Sequence, residues 1–294
     1  MTLNIKNLTI LIVSFKSEKV IHNCIQSINN KIDIIVIDNS NDINFKKLLE
    51  EKYHNVKCIL SSQNIGMGSA NNLGIKNIDK DYAFIINPDV IFKTNTINEL
   101  IYSSKSLDNF AILAPLSDNE NYPNYLLDKN KETKINFDLP FEVKSVDGYA
   151  MLLNLKKLKK LEGFKFFDEN IFLYMENDDM CEELKKRNEK IYIVPSSKVH
   201  HLGGKGVDSK FSNEIELSRN WHWMWSKFYF NKKHYGYFIA VKKTLGNFIS
   251  AISKITYYFI TLNNYKRKIY QMRLSGLFNS MLGRKSSFRP KFYN

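Results

Sequence analysis

The chain has 294 residues, 44% of them hydrophobic, with 43 Lys and Arg against 30 Asp and Glu. That hydrophobic share excludes a disordered chain, and only 12 Gly and 6 Pro exclude collagen-like and linker-rich chains. The net charge of +13 is unevenly spread: no acid follows Glu216, while Leu217 to Asn294 carry 15 basic residues, which leaves 28 basic and 30 acidic groups before them.

A near-neutral body of residues 1–216 therefore carries a wholly cationic tail of residues 217–294. The length suits one large domain with an appendage. Cys24, Cys58 and Cys181 are odd in number and lack metal-ligand spacing, so they read as small buried thiols rather than a disulfide scaffold or zinc site. No secretory signal is expected at the start, because the apolar run Leu8 to Phe15 is short and strand-like.

The first 90 residues alternate between two periodicities. Leu8 to Val13 is a continuous β-branched run, as in a strand buried on both faces. Ser17 to Asn29 has helical spacing, Ile32 to Ile37 is a second strand, and Phe45 to Tyr53 is helical. Val56 to Leu60, Ser69 to Asn77 and Tyr82 to Ile86 continue as strand, helix and strand. This order predicts an α/β fold, a mostly parallel sheet with helices on both faces. Phe110 to Phe141 reads as irregular and polar. Val146 to Leu153 reads as a turn into a strand, Glu176 to about Asn188 as a helix, and Ile191 to Val194 as a strand.

Ligands of open α/β sheets bind beyond the carboxyl ends of the strands. Each such end here is polar: Ser14, then Asp38 and Asn39, then Asn87 and Asp89. Each residue alone is also an ordinary turn former. The uncharged loop Ser61 to Ser69 leads into a helix whose free N–H groups suit an anion. Neither a phosphate loop ending in Gly-Lys-Ser/Thr nor a Gly-x-Gly-x-x-Gly turn follows the first strand. Asp89, after a proline, with a downstream His200 or His201, suits a divalent cation whose other ligands come from a substrate phosphate. The acids of Glu176 to Asp179 open a helix, where capping alone accounts for one or two of them.

The order of these pieces resembles the family-2 glycosyltransferases of the GT-A fold, and most nearly their rhamnosyltransferase-like branch. The matching segments are Ile10 to Ser14, Ile37 to Ser40, Asn64-Ile65-Gly66 with Ala70 to Gly74, and Asn87-Pro88-Asp89. Asp147 to Met151, Gly163 to Glu169, Phe172 to Asp179, and His201 to Gly204 follow in order. The resemblance spans roughly residues 8 to 206.

It implies an inverting transfer of a sugar from a nucleotide diphosphate sugar (UDP- or dTDP-linked) with Mg²⁺ or Mn²⁺ at the leaving diphosphate. Position by position, it implies metal ligation by Asp89 and His201, with His200 a close alternative. It implies a nucleotide pocket of Ser14, Asp38, Asn39, Asn64, Gly66, Asn71 and Asn87. The family's usual base is the Asp of a Glu-Asp pair, and that position is Asn177 here, a neutral amide. The base then falls to Glu176, Asp178 or Asp179. Glu176 and Asp179 share a helix face, and Asp179 is taken first, Glu176 second. The expected acceptor is a saccharide, lipid-linked, in the synthesis of a bacterial surface polysaccharide.

The tail places Trp221, Trp223 and Trp225 beside Phe228 to Phe230, and then runs largely apolar from Tyr237 to Leu262 with interspersed Lys. No apolar stretch free of charge reaches 18 residues, so the expectation is interfacial helices on an anionic membrane, with a packed helical lid as the other reading. This implies a cytoplasmic protein, peripheral on the inner membrane, with no nucleic-acid partner. A sugar nucleotidyltransferase would need a glycine-rich loop after the first strand, where Ser14-Phe15-Lys16-Ser17 stands. A basic nucleic-acid binder would leave Asp89 and the Glu176 to Asp179 cluster without a role.

Overall fold

A computed structural model of the chain describes residues 2–107, 109–128, 135–204, 206–208 and 211–290. It divides into two compact units: Met1–Phe167 with Met180–Asp208, and Asp168–Asp179 with Ser209–Asn294.

In the first unit, strands β1 (Leu8–Ser14), β2 (Asp33–Asp38), β3 (Val56–Leu60) and β4 (Tyr82–Ile86) alternate with helices α1 (Glu18–Gln26), α2 (Ile43–Lys52) and α3 (Met67–Lys76). The four strands pair in parallel in the order β3-β2-β1-β4. All seven residues of β1 and all five of β4 are buried, which is why both read as unbroken apolar runs. Two apolar clusters cover the sheet, one holding Ile10, Ile12 and Phe84, the other Leu11, Val13 and Ile85, as alternation along a strand requires. The three cysteines form no disulfide and lie buried within these clusters.

Beyond β4 the sheet is mixed. Strand β5 (Val90–Phe92), helix α4 (Thr96–Ser104) and strand β6 (Phe110–Ser117) come next. The short strands β7 (Tyr125–Leu126), β8 (Phe141–Glu142) and β9 (Ser145–Val146) lead to β10 (Ala150–Asn154) and the short helix α5 (Leu155–Leu158). Strand β10 lies antiparallel between β4 and β6, and β11 (Lys190–His201) runs parallel to β6 and antiparallel to β5 and β8. The expectation of irregular chain over Phe110 to Phe141 is corrected at its start, because β6 is an eight-residue, almost wholly buried strand. Pro115 interrupts its strand pattern, and the register against β11 shifts between Val194 and Lys198. Buried Asn124 repairs the break: its amide donates to Pro115 O at 2.9 Å, and its Oδ1 accepts from Ser117 N at 2.9 Å. Residues 129–134 of this stretch lie outside the described residues.

Helix α6 (Glu176–Lys186) has its first turn in the second unit and the rest in the first. The second unit is otherwise built from α7 (Ser212–Tyr235), α8 (Tyr237–Ile260) and α9 (Asn264–Met281), which pack on one another through Met224, Phe228, Ala240 and Leu277. Among the described residues no helix is long and apolar enough to cross a membrane. Trp221 and Trp225 are buried and donate to Ser275 Oγ and Arg284 O, whereas Trp223 on the intervening face is partly exposed. Buried His222 bonds Ser286 Oγ and Phe288 O, and burial pushes its pKa down to about 3, so it is neutral.

Gly276 of α9 lies against the backbone of α7: a Cβ there would meet Trp221 O at 2.1 Å. A backbone carbonyl inside a helix cannot swing aside as a side chain can. Gly276→Ala should therefore separate the two helices and cost about 1–3 kcal/mol, the usual range for overpacking. The check is the thermal unfolding midpoint, which should fall by several degrees.

Candidate active site

In the first unit the parallel pairing delivers polar strand ends to one edge of the sheet. Ser14 is registered opposite Asp38, and Ile12 opposite Ile86, just before Asn87. The antiparallel β10 starts at the same edge, opposite Ile86, so Tyr149 O accepts from Asn87 N at 2.9 Å. The last residue of β11, His201, pairs with Val90 beside Asp89.

These positions divide into groups occupied locally and groups with capacity left. Asp38 is buried, and its carboxylate accepts from Ser40 N and Asp42 N at 3.1 and 2.9 Å. Burial nonetheless holds its pKa above the usual carboxylate value. Asn39 donates to Gly66 O at 3.2 Å and accepts from Ser61 Oγ at 3.0 Å, and Asn64 Oδ1 accepts from Gly66 N at 3.1 Å. Asn39, Asn64 and Gly66 thus shape the loop before α3, with Gly66 at φ 87°, a conformation glycine adopts without strain. By contrast Ser14 Oγ, Asn71 Oδ1 and Asn87 Oδ1 are buried with no hydrogen-bond partner. Buried polar atoms are seldom left so, and three in one region are what a polar ligand would satisfy.

Asp89 is buried, and its Oδ1 lies 3.4 Å from His201 Nε2. The His201 ring stacks on Tyr149 at 4.0 Å. Leu202 N donates to Asp89 O, and Gly206 passes so close that a Cβ would touch the Asp89 carboxylate at 3.6 Å. His200 and His201, adjacent on one strand, point to opposite faces. His200 Nδ1 bonds Asp118 at 3.0 Å, where Lys93 also pairs at 2.8 Å. Burial works against the Asp118 charge, but these two partners outweigh it and hold the carboxyl below its usual pKa. His201, not His200, is therefore the imidazole next to Asp89. Among the described residues no group of three or more ligand side chains gathers for a metal. The pair fits a cation that takes one oxygen and one nitrogen from protein and the rest from substrate or water. Asp147, quoted as a motif residue but given no role from sequence, is a half-buried carboxyl kept protonated more readily by burial, with His201 in electrostatic range.

In the second unit the acids at the start of α6 have distinct surroundings. Asp179 is 2% exposed, and both its oxygens are engaged: Lys233 Nζ reaches its Oδ2 at 2.7 Å, and His234 Nε2 its Oδ1 at 2.7 Å. Lys233 also bonds Asp168 Oδ2 at 2.9 Å, where the Tyr229 hydroxyl donates at 3.0 Å. Burial opposes the charge on Lys233, but the two carboxylates overcome it and raise its pKa. Glu176 has no such partner. Its Oε2 is buried and unbonded, and desolvation, helped by the nearby Asp178, pushes its pKa up to about 7. Just before it, Tyr174 and Met175 both sit at φ 68°, a left-handed pair without glycine. Such strain gathers at functional sites. Ser226 Oγ, donating to Leu173 O at 2.8 Å, and His222, against Phe172 at 4.5 Å, hold the segment there. Tyr174 meets Trp223 edge-on at 5.5 Å. Lys233 and His234 lie more than 50 residues from the acids they bind, so only their position in a basic stretch was visible in the sequence.

Comparison with known proteins fits this arrangement. A hexosyltransferase of low-salt glycan biosynthesis from Haloferax volcanii, Agl10, is 24% identical over 228 residues, covering 72% of each chain. The rhamnosyltransferase WbbL of Escherichia coli K12 is 25% identical over 243 residues, covering 72% of this chain and 88% of its own. Among solved structures, the Pyrobaculum calidifontis mannosyltransferase PcManGT, in complex with GDP-Man and Mn²⁺, superposes with a TM-score of 0.55 at 10% identity, covering 95% of this chain and 88% of that one. GalNAc-T7 with UDP, GalNAc and Mn²⁺ gives 0.54 at 16% identity, covering 83% of this chain and 57% of that one. The fold is that of the GT-A glycosyltransferases. The family model for glycosyl transferase family 2 matches residues 9–162, more than half of the sequence, and the chain belongs to that family.

Proposed function

We propose that the chain is an inverting glycosyltransferase. It moves a sugar from a UDP- or dTDP-linked donor to a saccharide acceptor, lipid-linked, in surface polysaccharide synthesis at the cytoplasmic face of a membrane. The observation that carries the reading is Glu176: in a family-2 glycosyltransferase, a carboxyl with a buried, unbonded oxygen and a pKa near 7 suits a general base. The unbonded Ser14, Asn71 and Asn87 oxygens support donor binding in the first unit. The names of the relatives, a hexosyltransferase and a rhamnosyltransferase, and of the GDP-Man- and UDP-bound neighbours support the substrate class. The membrane location is supported by the absence of any acid after Glu216.

In this reading the acceptor hydroxyl gives its proton to the Glu176 carboxylate as its oxygen bonds the anomeric carbon. The bond from that carbon to the diphosphate oxygen breaks, and its electron pair leaves with the nucleoside diphosphate. Asp89 and His201 would hold Mg²⁺ or Mn²⁺, which offsets the charge of the leaving diphosphate. The order of the two base candidates is reversed from that taken on sequence. Asp179 spends both oxygens on Lys233 and His234, and so holds the segment that carries Glu176.

Glu176→Gln should lose ~10²–10⁴-fold in turnover while donor affinity is kept, and Asp179→Asn should lose less than that range in turnover but more in thermal stability. Steady-state transfer assays with the two variants decide it; a dead Asp179→Asn beside an active Glu176→Gln would restore the other order. Only the ionised Glu176 accepts a proton, so kcat/KM of the wild type should rise with pH through about 7. Asp89→Ala should fold normally and lose Mn²⁺-dependent binding of UDP and dTDP. In a thermal-shift titration the stabilisation, ~2.7 kcal/mol at 100 times the dissociation constant, should vanish.

A further inference from the structure

We infer that the outward face of α8, with the turn after it, is an interfacial docking surface that lies flat on an anionic phospholipid membrane. The inference rests on the proposed membrane location and names the surface responsible. One side of α8 packs on α7 and α9 through Ala240, Thr244, Phe248 and Ala251. An exposed side carries Phe238, Leu245, Ile249, Ile252, Phe259 and Ile260, with Phe238 at 88% and Ile260 at 73%. The first five, spaced by seven, four, three and seven residues, form one stripe along the helix, with Ile260 next to Phe259 and with Lys242 and Thr256 filling the remaining places. From Phe238 to Ile260 the stripe is ~33 Å long. It continues into Leu262, 81% exposed, in the turn to α9. Scattered exposed apolar residues need no explanation, but a continuous stripe marks a surface that something covers.

Charge decides what covers it. Helices α8 and α9 contain no Asp or Glu. Lys242, Lys243 and Lys254 flank or enter the stripe, and Lys266, Arg267 and Lys268 open α9 beside the turn. Several are held against rings: Lys243 over Tyr235 at 4.5 Å, Lys254 over Tyr270 at 4.9 Å, Arg267 over Phe259 at 5.5 Å. A second copy of the chain docking on this face would set two wholly cationic rims against each other. Anionic headgroups neutralise the rim while acyl chains take the stripe, and Lys with aromatic side chains suits that boundary. The helix is too polar to cross the membrane and so lies along it.

The test is co-sedimentation of the full chain with phosphatidylcholine vesicles, with and without phosphatidylglycerol. Wild type should pellet with the anionic vesicles and be released by salt. Ile249→Glu with Ile252→Glu should weaken binding roughly tenfold or more, and so should the triple change of Lys266, Arg267 and Lys268 to Gln. All five side chains lie on exposed or partly exposed surface, and an unchanged unfolding midpoint confirms the fold. Binding of both variants equal to wild type overturns the surface and leaves the membrane location standing. Absence of wild-type binding overturns both. Loss of self-association in the Ile variants, seen by sedimentation velocity without any change in vesicle binding, assigns the stripe to a second copy and overturns the inference.

Discussion

The position of β1 between β2 and β4 is the constraint on which the candidate site of the first unit depends. Because all three run parallel, every strand ends at the same edge, and the polar residues that follow collect there. The register is tightly specified, since a slip of one residue would exchange the two buried faces of β1 and turn each apolar side chain into the wrong cluster. The later strands then add to the same edge. The antiparallel β10 brings Asp147 and Tyr149 at its start, and β11 brings His201 at its end.

The parallel half was legible in the sequence because strands buried on both faces leave an unbroken apolar signature. Tyr82 to Ile86 was readable to the residue in this way; Val56 to Leu60, at the end of the sheet order with Lys57 exposed, was readable from its β-branched and apolar residues. Strand β6 was not, because Pro115 breaks the pattern and the repair comes from Asn124, which looks in sequence like one more loop amide. The polar strand ends were equally visible, but not how their hydrogen bonds are spent. Asn39 and Asn71 are both buried asparagines, yet one closes a loop and the other keeps an unsatisfied oxygen. Sequence shows the donor type; only the fold shows the remaining capacity.

The same limit explains the two carboxylates of α6. Glu176 and Asp179 lie three residues apart on one helix face and differ in sequence by one methylene. What separates them is desolvation with no Lys or His partner for the first, and hydrogen bonds from Lys233 and His234 for the second. Both Asp179 oxygens already accept hydrogen bonds, from Lys233 and His234. In the proposed mechanism the desolvated Glu176 carboxyl, its pKa raised to about 7, lies near the proton affinity that general-base catalysis wants at neutral pH. Asn177, at the family's usual position, needs no replacement further along the chain if the preceding residue has the required environment.

The charge of the tail acts at both sides of the second unit. Inward, Lys233 of α7 pairs with Asp168 and Asp179, and His234 hydrogen-bonds Asp179, carboxylates that would otherwise be costly to bury. Outward, α8 and α9 offer cations in helices that contain no acid. A helix meant only to be solvated gains by mixing signs, since like charges on neighbouring turns repel. In the proposed membrane-bound state, anionic headgroups stand in for the missing acids. On the proposed membrane location, the absence of acids from α8 and α9, the exposed apolar stripe and a helix too polar to cross a membrane answer to one requirement: helices that lie on a surface apolar inside and negative outside.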